Sequence, residues 1–262
     1  MPASAEPSVL YLVINLPSSA DRKMSMLEQG EKFGLDLRIV EAVAGKTLSQ
    51  EQLDLYDAKG RRRYYNFDLT NNEIACVLSH RKCLEIFLKS GAEHLVILED
   101  DAELAPHFNE GVRELTQHLC GWEVAKLYTD DGRLFPLMPP CPEAAVQPVF
   151  PKKVLWMSIG YMYTRAGAEK MYEAMQSFFL PADLLIANAL LFRNIPTIGV
   201  APGIVRIHEL GMQSDIDAQE SRKRIPANKS RKYLAHRLHV WHVALRKILM
   251  RRRMRRLLTR RG

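Results

Sequence analysis

The 262-residue chain is long enough for one large domain or two small ones, and a 47% hydrophobic content with only 14 Gly and 14 Pro excludes a disordered or fibrous protein. The net charge of +7 is unevenly placed, because residues 221–262 hold 16 Lys and Arg and no acid, whereas residues 1–220 hold 21 basic and 30 acidic residues. Four cysteines without a CxxC pair exclude a dense disulfide framework and favour a reducing compartment.

The N-terminal sequence MPASAEPSVL lacks the basic stretch and long apolar run that are typical of a signal peptide. No apolar segment reaches the roughly 18 residues that a membrane-spanning helix needs. We therefore expect a cytoplasmic protein that is soluble or peripheral to a membrane.

Strand and helix patterns alternate through the first half of the chain. Residues 9–15 (VLYLVIN) predict a buried strand, followed by a helix that starts near Ser19 or Asp21. Further strands are predicted at 37–43 and 94–100, with a helix at 71–91 between them. The alternation predicts an α/β sheet with helices on both faces.

The second half of the chain is less regular. Residues 122–128 (WEVAKLY) predict another strand, and the Pro-rich residues 130–153 predict a loop. Residues 160–178 begin extended and become helical near Ala166. Upstream, Arg61 to Arg63 adjoin Tyr64 and Tyr65, a patch that suits an anionic or sugar acceptor or a solvated loop.

Three consecutive acids, Glu99, Asp100 and Asp101, follow the apolar residues of the strand at 94–100. Alternate side chains of an extended chain point to one side, so Glu99 and Asp101 can reach the same site. Hard cations such as Mg²⁺ and Mn²⁺ prefer carboxylate oxygen and share their other positions with substrate phosphates. A metal ion, a basic side chain or water would each explain the cluster of charge, and ligands of such sheets bind beyond the carboxyl ends of the strands.

The basic C-terminal segment predicts an amphipathic helix, because residues 227–261 contain no Pro or Gly. Five apolar side chains recur there at helical spacing: Leu234, Leu238, Trp241, Leu245 and Ile248. A helix of this kind is typical of binding to an anionic membrane surface. The alternatives are packing of this apolar stripe against the body and nucleic-acid binding; the chain has no nucleic-acid motif, so we expect no nucleic-acid partner.

The chain from Val9 to about Ile216 resembles glycosyltransferase family 25, the group of lipooligosaccharide galactosyltransferases that also includes collagen galactosyltransferase domains. The motifs that carry the resemblance occur in the family's order: VINLPSSADRK, EAVAG, LTNNEIACVLSH, LVILEDDAEL, WEVAKLY, GYMYTRAGAEKM, PADLLI and SDI. The resemblance implies an α/β, GT-A-like fold with one Rossmann-type nucleotide-sugar-binding domain, which we assign to residues 1–220; the basic helical tail inferred from the charge pattern then occupies residues 221–262. It also implies a UDP-sugar donor, Mn²⁺ or Mg²⁺, and inversion at the anomeric carbon.

The matched motif positions imply a set of site residues. Asp101 is the expected principal metal ligand and Glu99 a second one, while His208 in VRIHE can complete the metal shell as a neutral imidazole. Either Asp100 or Glu99 is expected to face the ribose or a metal-bound water. The expected donor-binding residues are Asn15, Arg22, Glu73, Ser79, His80 and Asp100.

Inversion needs a base that takes the proton of the acceptor hydroxyl. Asp183 in PADLLI is the first choice, because it follows a proline and begins a helix-like run whose dipole favours its charge. Asp183 is alternatively a plain N-cap. Asp130 and Asp131, which follow the strand at 122–128, are the alternative bases.

The chain departs from the family pattern at four positions. Ala44 replaces an Asp, Asn72 and Ala75 replace glycines, and Pro17 replaces an Asp. The leading prediction is a membrane-associated hexosyltransferase, a β-galactosyltransferase, that moves galactose from UDP-galactose to a lipid-linked lipooligosaccharide or lipopolysaccharide core at the inner face of the inner membrane. The departures support an alternative, which is an inactive sugar-nucleotide or glycan-binding module with a membrane-binding tail.

Overall fold

A computed structural model describes residues 7–129, 134–151, 157–208 and 229–260. The strands of this part of the chain are β1 Val9–Asn15, β2 Leu37–Glu41, β3 His94–Glu99, β4 Ala102–Leu104, β5 Leu119–Cys120, β6 Val124–Lys126, β7 Leu134–Pro136, β8 Gln147–Pro151, β9 Gly160–Thr164, β10 Thr197–Ala201, β11 Val205–Ile207 and β12 Thr259–Arg260. The helices are α1 Ala20–Phe33, α2 Gln50–Leu53, α3 Ala58–Tyr64, α4 Asn71–Leu88, α5 Phe108–Arg113, α6 Arg165–Ala174, α7 Ala182–Phe192 and α8 Lys229–Leu257.

Eight strands form one large sheet in the order β2-β1-β3-β9-β6-β10-β8-β7. Strand β1 runs parallel to β2 and β3, and β10 runs parallel to β6, whereas the remaining neighbours are antiparallel. The two small pairs β4–β11 and β5–β12 lie outside this sheet. The predicted α/β architecture with one central sheet is therefore confirmed.

Helices cover both faces of the sheet. Leu12 of β1 belongs to a buried cluster with α4, α6 and α7, whereas its neighbour Val13 belongs to a second cluster with α1, α5 and α8. Successive side chains of a strand point to opposite faces, so β1 and β3 are buried on both sides. That double burial explains why both strands are almost continuously apolar.

The helices next to the carboxyl ends of β1 and β3 have well-defined starts. Helix α1 begins after Ser19, as predicted, and ends at Gly34, whose φ of 66° is left-handed. At the start of α4, the side chains of Thr70 and Glu73 each accept a hydrogen bond from the other residue's backbone N–H. This reciprocal capping box satisfies two N–H groups that would otherwise lack partners.

The structure corrects three strand predictions in the second half of the chain. The strand predicted at 122–128 is only β6, residues Val124–Lys126. The segment predicted as a Pro-rich loop contains β7 and β8, which pair with each other at the edge of the sheet. Pro136 lies in β7, the edge strand, where proline is tolerated because one row of N–H positions has no ladder partner. Strand β10 (TIGVA), for which no strand was predicted, pairs with β6 and β8.

The boundary predicted at residues 220/221 lies outside the described residues and stays a prediction, whereas the C-terminal end of the predicted tail is described. Met250, Met254 and Leu258 are buried in the cluster that contains Val13, so the end of α8 packs as part of the body. Strand β12 then pairs with β5. The predicted helical tail is therefore helical but not separate from the body at its C-terminal end.

The stripe that the sequence places on α8 points away from the body where its side chains are described. Trp241, Leu245 and Ile248 are 75%, 53% and 46% exposed, respectively. At 3.6 residues per turn, these positions lie on the side of the helix opposite Met250 and Met254. The alternative in which this stripe packs against the body is thus wrong for these three residues. Across the described residues, every helix is too short or too polar to cross a bilayer.

Candidate active site

The site lies at the carboxyl ends of the parallel strands β1 and β3. Ile14 of β1 is in register with Glu99 of β3, so the residues that follow each strand meet at the same edge of the sheet. Strand β3 ends at Glu99, and Asp100 and Asp101 form the turn into β4. The acidic block is therefore at the expected edge, although only Glu99 of the three acids lies in the strand.

Asp100 is held by two residues from the first strand and helix. Asn15 Nδ2 donates a hydrogen bond of 2.8 Å to Asp100 Oδ2 and one of 3.0 Å to the carbonyl oxygen of Ser19. Arg22 Nη1 lies 3.4 Å from Asp100 Oδ1. Burial raises the pKa of Asp100, and the bonds from Asn15 and Arg22 offset only part of that increase. Three residues predicted to bind the donor are thus in direct contact.

Glu99 is held by a histidine and a serine. His80, 1% exposed on α4, places Nε2 3.0 Å from Glu99 Oε1, and the Ser158 hydroxyl donates to the same oxygen. Burial acts to raise the pKa of Glu99, but the hydrogen bonds from His80 and Ser158 and the charge of His80 outweigh it, so the pKa is lowered. Glu99 is therefore held in its charged form.

Asp101 is the third acid of the turn, and one of its carboxylate oxygens lacks a hydrogen bond. Its Oδ1 is buried and has no hydrogen-bond partner among the described residues. Burial, followed by the charges of Glu99 and Asp100, raises the pKa of Asp101 to about 7. A divalent cation would satisfy the oxygen and offset the repulsion between the acids, so Asp101 fits the predicted role of metal ligand.

The other two predicted metal ligands are placed less directly. Oε1 of Glu99 is already hydrogen-bonded to His80 and Ser158. The backbone N–H of His208 donates to the carbonyl oxygen of Asp101 at 2.8 Å, which places its main chain next to the acidic turn. A different group of potential metal ligands lies close together in the described residues. The ligand atoms of Cys76, His80 and Glu99 are within 4.8 Å of one another.

Cys76 is a poor metal ligand in this environment. Burial, and then the charges of Glu99, Asp183, Asp101 and Glu73, raise the pKa of its thiol well above the usual value. The charges of all four carboxylates therefore act on this one thiol. Metals bind the thiolate, and a thiol with a raised pKa stays protonated. The carboxylate oxygen of Asp101, which suits a hard cation, is therefore the better ligand.

Asp183 of α7 is close enough to Glu99 for the charge of Glu99 to act on its pKa. It lies in the first turn of α7, whose N-cap is Pro181, and its Oδ1 accepts a 2.7 Å hydrogen bond from the N–H of Leu184. Asp183 is thus not the N-cap that the alternative interpretation expected. Burial first, and then the charge of Glu99, raise the pKa of Asp183, whereas the Leu184 N–H and Lys126 lower it.

The remaining predicted residues have structural contacts or are outside the described chain. Glu73 Oε2 accepts a 2.8 Å hydrogen bond from the N–H of Thr70, and so caps its own helix. The Ser79 hydroxyl donates to the carbonyl oxygen of Ala75 and accepts from the N–H of Val43. Asp130 and Asp131, the alternative bases, lie outside the described residues.

Lys126 and Ser158 are site residues that the sequence analysis did not identify. Lys126 is only 4% exposed at the end of β6, and its Nζ lies 5.4 Å from the ring of Tyr128 and 6.0 Å from that of Tyr161. A lysine that ends an apolar strand was a usable signal, because lysines are rarely buried without a partner. Ser158 carried no such signal, since it lies in an irregular segment.

Comparison with known proteins connects this geometry to a family. The sequence model described as "Glycosyltransferase family 25 (LPS biosynthesis protein)" matches residues 10–134. This range contains β1, α4 and the acidic turn.

Curated relatives extend the match beyond residue 134. A "Glycosyltransferase 25 family member" of Anopheles gambiae is 29% identical over 199 residues, which are 72% of this chain and 32% of the relative; one of Aedes aegypti is 25% identical over 202 residues, with the same coverage of both chains. Human "Procollagen galactosyltransferase 2" is 26% identical over 170 residues, 62% of this chain and 27% of that protein. The chain thus spans about a third of the length of these relatives.

Among solved structures, one similar chain is described as the "Crystal structure of a glycosyltransferase involved in the glycosylation of the major capsid of PBCV-1". It is 12% identical, covers 74% of this chain and 81% of that chain, and has a TM-score of 0.38.

Proposed function

Because residues 10–134 match the sequence model of glycosyltransferase family 25, we propose that this chain is a metal-dependent, inverting hexosyltransferase of that family with a GT-A-like fold and a UDP-hexose donor, UDP-galactose first among the candidates. The observation that carries the proposal is the buried Oδ1 of Asp101 in the acidic turn, which has no hydrogen-bond partner among the described residues. In this proposal, Asp101 serves the donor side by binding the metal ion, and Asp183 serves the acceptor side as the base.

The donor side consists of the acidic turn and the start of α1. Asp101 would hold Mn²⁺ or Mg²⁺ through the oxygen that has no hydrogen-bond partner in the described chain, with His208 beside it. The cation, when bound, neutralises the charge that develops on the leaving diphosphate. Asn15 and Arg22 fix the orientation of Asp100, which leaves that carboxylate rigid where the nucleotide would lie.

The acceptor side consists of Asp183 and Lys126. The Asp183 carboxylate accepts the proton of the acceptor hydroxyl while that oxygen forms its bond to the anomeric carbon and the bond to the diphosphate breaks. Burial raises the pKa of Asp183, which makes it a stronger base than an exposed aspartate, and Lys126 keeps that increase within limits. A base whose pKa lies closer to the working pH transfers protons more efficiently.

The acceptor is proposed to be a lipid-linked oligosaccharide of the lipooligosaccharide or lipopolysaccharide core type, reached from the inner face of the inner membrane. Support comes from α8, where the exposed side chains Trp241, Leu245 and Ile248 accompany a run of basic residues. An apolar stripe among cations suits an anionic lipid surface, and each Lys or Arg near it contributes about 1 kcal/mol.

The test is transfer or hydrolysis of UDP-galactose by purified protein, with Mn²⁺ and with a chelator. We expect metal-dependent release of UDP that Asp101→Ala abolishes while the melting transition stays cooperative. Asp36→Ala, at an exposed acid outside the site, is the matched control and should keep full turnover. Metal-dependent binding of UDP-galactose without any turnover would instead support the inactive binding module.

A further inference from the structure

An aromatic cavity lies beside the proposed acceptor side. It has a volume of about 310 Å³ and is formed by the end of α3, the segment between α6 and α7, and α7 itself. Asp183 begins α7, and the cavity is lined by residues further along the same helix, up to Phe192 and Arg193. The proposed base and part of the cavity lining therefore belong to the same helix.

The walls of the cavity are mainly apolar and are held in place by ring contacts. Tyr64 and Phe179 are stacked, with centroids 5.9 Å apart and an interplanar angle of 22°. Tyr65 and Phe192 supply further aromatic surface, and the lining includes no acid. Cavities of about 300 Å³ and larger with such walls and few polar groups are typical of sites for small apolar ligands.

Three arginines lie at or next to the cavity. Arg61 lies 4.0 Å from the ring of Tyr65, and Arg246 of α8 lies 5.9 Å from the ring of Phe192. Arg193 lines the cavity and pairs at 3.2 Å with Glu173, whose side chain is 73% exposed. An ion pair with so exposed a partner is weak, so Arg193 can exchange it for another anion.

We propose that this cavity binds part of the apolar chain of an anionic amphiphile, with the anionic head group at Arg193. The apolar walls fit the chain, and the arginines complement the charge of the head. The contact of Arg246 with Phe192 places the cavity next to α8, the helix whose exposed stripe suits a lipid surface. Resting on the proposed function, the amphiphile is the lipid part of the acceptor, and its sugar extends along α7 towards Asp183.

Monododecyl phosphate, below its micelle concentration, is the probe that tests the cavity directly by calorimetry. We expect saturable binding, and about tenfold weaker binding of dodecyl maltoside, which has the same chain and a neutral head. Arg193→Gln should weaken the phosphate amphiphile about tenfold and leave the maltoside unchanged. Equal affinity for the two probes, or no binding of either, would overturn the proposal.

Variants locate the bound chain. Asn188 lines the cavity and is partly exposed, so Asn188→Trp should fill the cavity and lower the affinity for monododecyl phosphate at least tenfold. If that variant does not fold, Tyr64→Ser, at a wall residue that is 38% exposed, tests the same point. Met24→Ser, which removes an exposed apolar side chain on α1, is the matched control. Loss of binding in Leu245→Ser or Ile248→Ser, with retention in Asn188→Trp, would place the probe on α8 and refute the cavity.

The two proposals fail in different experiments. Amphiphile binding that depends on Asn188 and Arg193 supports the cavity even if UDP-galactose is never turned over, and in that case the proposed function alone is wrong. Metal-dependent turnover of UDP-galactose without amphiphile binding overturns the cavity and leaves the transferase in place.

Discussion

His80 and Glu99 join the helix α4 to the strand β3 through a 3.0 Å contact between a buried imidazole nitrogen and a carboxylate oxygen. The Ser158 hydroxyl donates to the same carboxylate oxygen. The Glu99 carboxylate therefore remains charged because the contacts with His80 and Ser158 outweigh the effect of burial on its pKa.

Replacement of Ser158 with Ala should lower the free energy of unfolding at pH 7 by about 1.5–3 kcal/mol, since it removes a hydrogen bond to a charged group. The pKa of Glu99 is lowered in the folded state, so its contribution to stability is present above its ordinary pKa of 4.5 and is lost as pH falls through the lowered value. Urea unfolding of variant and wild type should differ at pH 7, and this difference should be smaller at pH 3. Ser18→Ala, at an exposed serine, is the control, and an equal difference at both pH values would contradict this account.

Replacement of Asp101 with Asn should stabilise the metal-free protein at pH 8. The folded pKa of about 7 lies above the ordinary 3.8, so between these values the folded state holds a proton that the unfolded state has lost. The contribution of Asp101 to stability therefore falls as pH rises from about 4 to about 7. We expect the melting temperature of the variant to exceed that of wild type by about 2–5 °C at pH 8 and to equal it near pH 4.

Mn²⁺ should reverse this order, because a cation that binds only the folded state raises its stability. At pH 8, millimolar Mn²⁺ should raise the melting temperature of wild type and leave that of Asp101→Asn unchanged. Equal stabilisation of both proteins would exclude Asp101 as the principal ligand.

Replacement of Asp183 with Asn should lower kcat about 10²- to 10⁴-fold, which is the usual contribution of a general base. The KM for the UDP-sugar should change less than about twofold, because Asp183 is proposed to act on the acceptor. Steady-state kinetics with varied donor would test this division. A large increase in donor KM with unchanged kcat would instead place Asp183 on the nucleotide.

Replacement of Lys126 with Met should move the acidic limb of the pH–rate profile to higher pH. Lys126 lowers the pKa of Asp183, so its removal raises that pKa further, and the base is then protonated up to a higher pH. Lys126→Arg keeps the charge and should restore the original limb. If both variants lose activity equally at every pH, Lys126 is a packing residue and does not tune the base.

The two faces of α8 should respond differently to substitution. Met254→Ser, at a fully buried position, should cost about 2–5 kcal/mol of stability, whereas Trp241→Ser should leave stability within about 0.5 kcal/mol. Sedimentation with vesicles rich in anionic phospholipid should show the reverse order for membrane binding. Unchanged vesicle binding by Trp241→Ser combined with Leu245→Ser would remove the support for a membrane role of this stripe.

The parallel core of the sheet could be predicted because local sequence dictates it. Strands β1 and β3 are buried on both faces and therefore read as apolar runs, and the capping residues Ser19 and Thr70 lie next to the starts of their helices. The acidic turn could be placed at the sheet edge for the same reason. Strands β7 and β8 could not be predicted, because their pairing is non-local and proline masks their β character.

The partners of the site residues could not be predicted from the sequence. Asn15 and Asp100, or His80 and Glu99, are brought together by strand register and helix placement that no short motif encodes. Ser158 and Lys126 acquire their roles only through these tertiary contacts. The buried side of α8 was missed because its methionines are hidden among arginines, while the more obvious stripe of the same helix faces outward.

Helix α8 packs on the body with one side and presents its exposed apolar stripe on the other, which has a geometric consequence if that stripe lies on a membrane. A helix with its side chains is about 10–12 Å thick, so a body docked on one side and a lipid plane on the other are separated by roughly that distance. The helix then acts as a spacer that fixes the height and tilt of the sheet edge above the lipid.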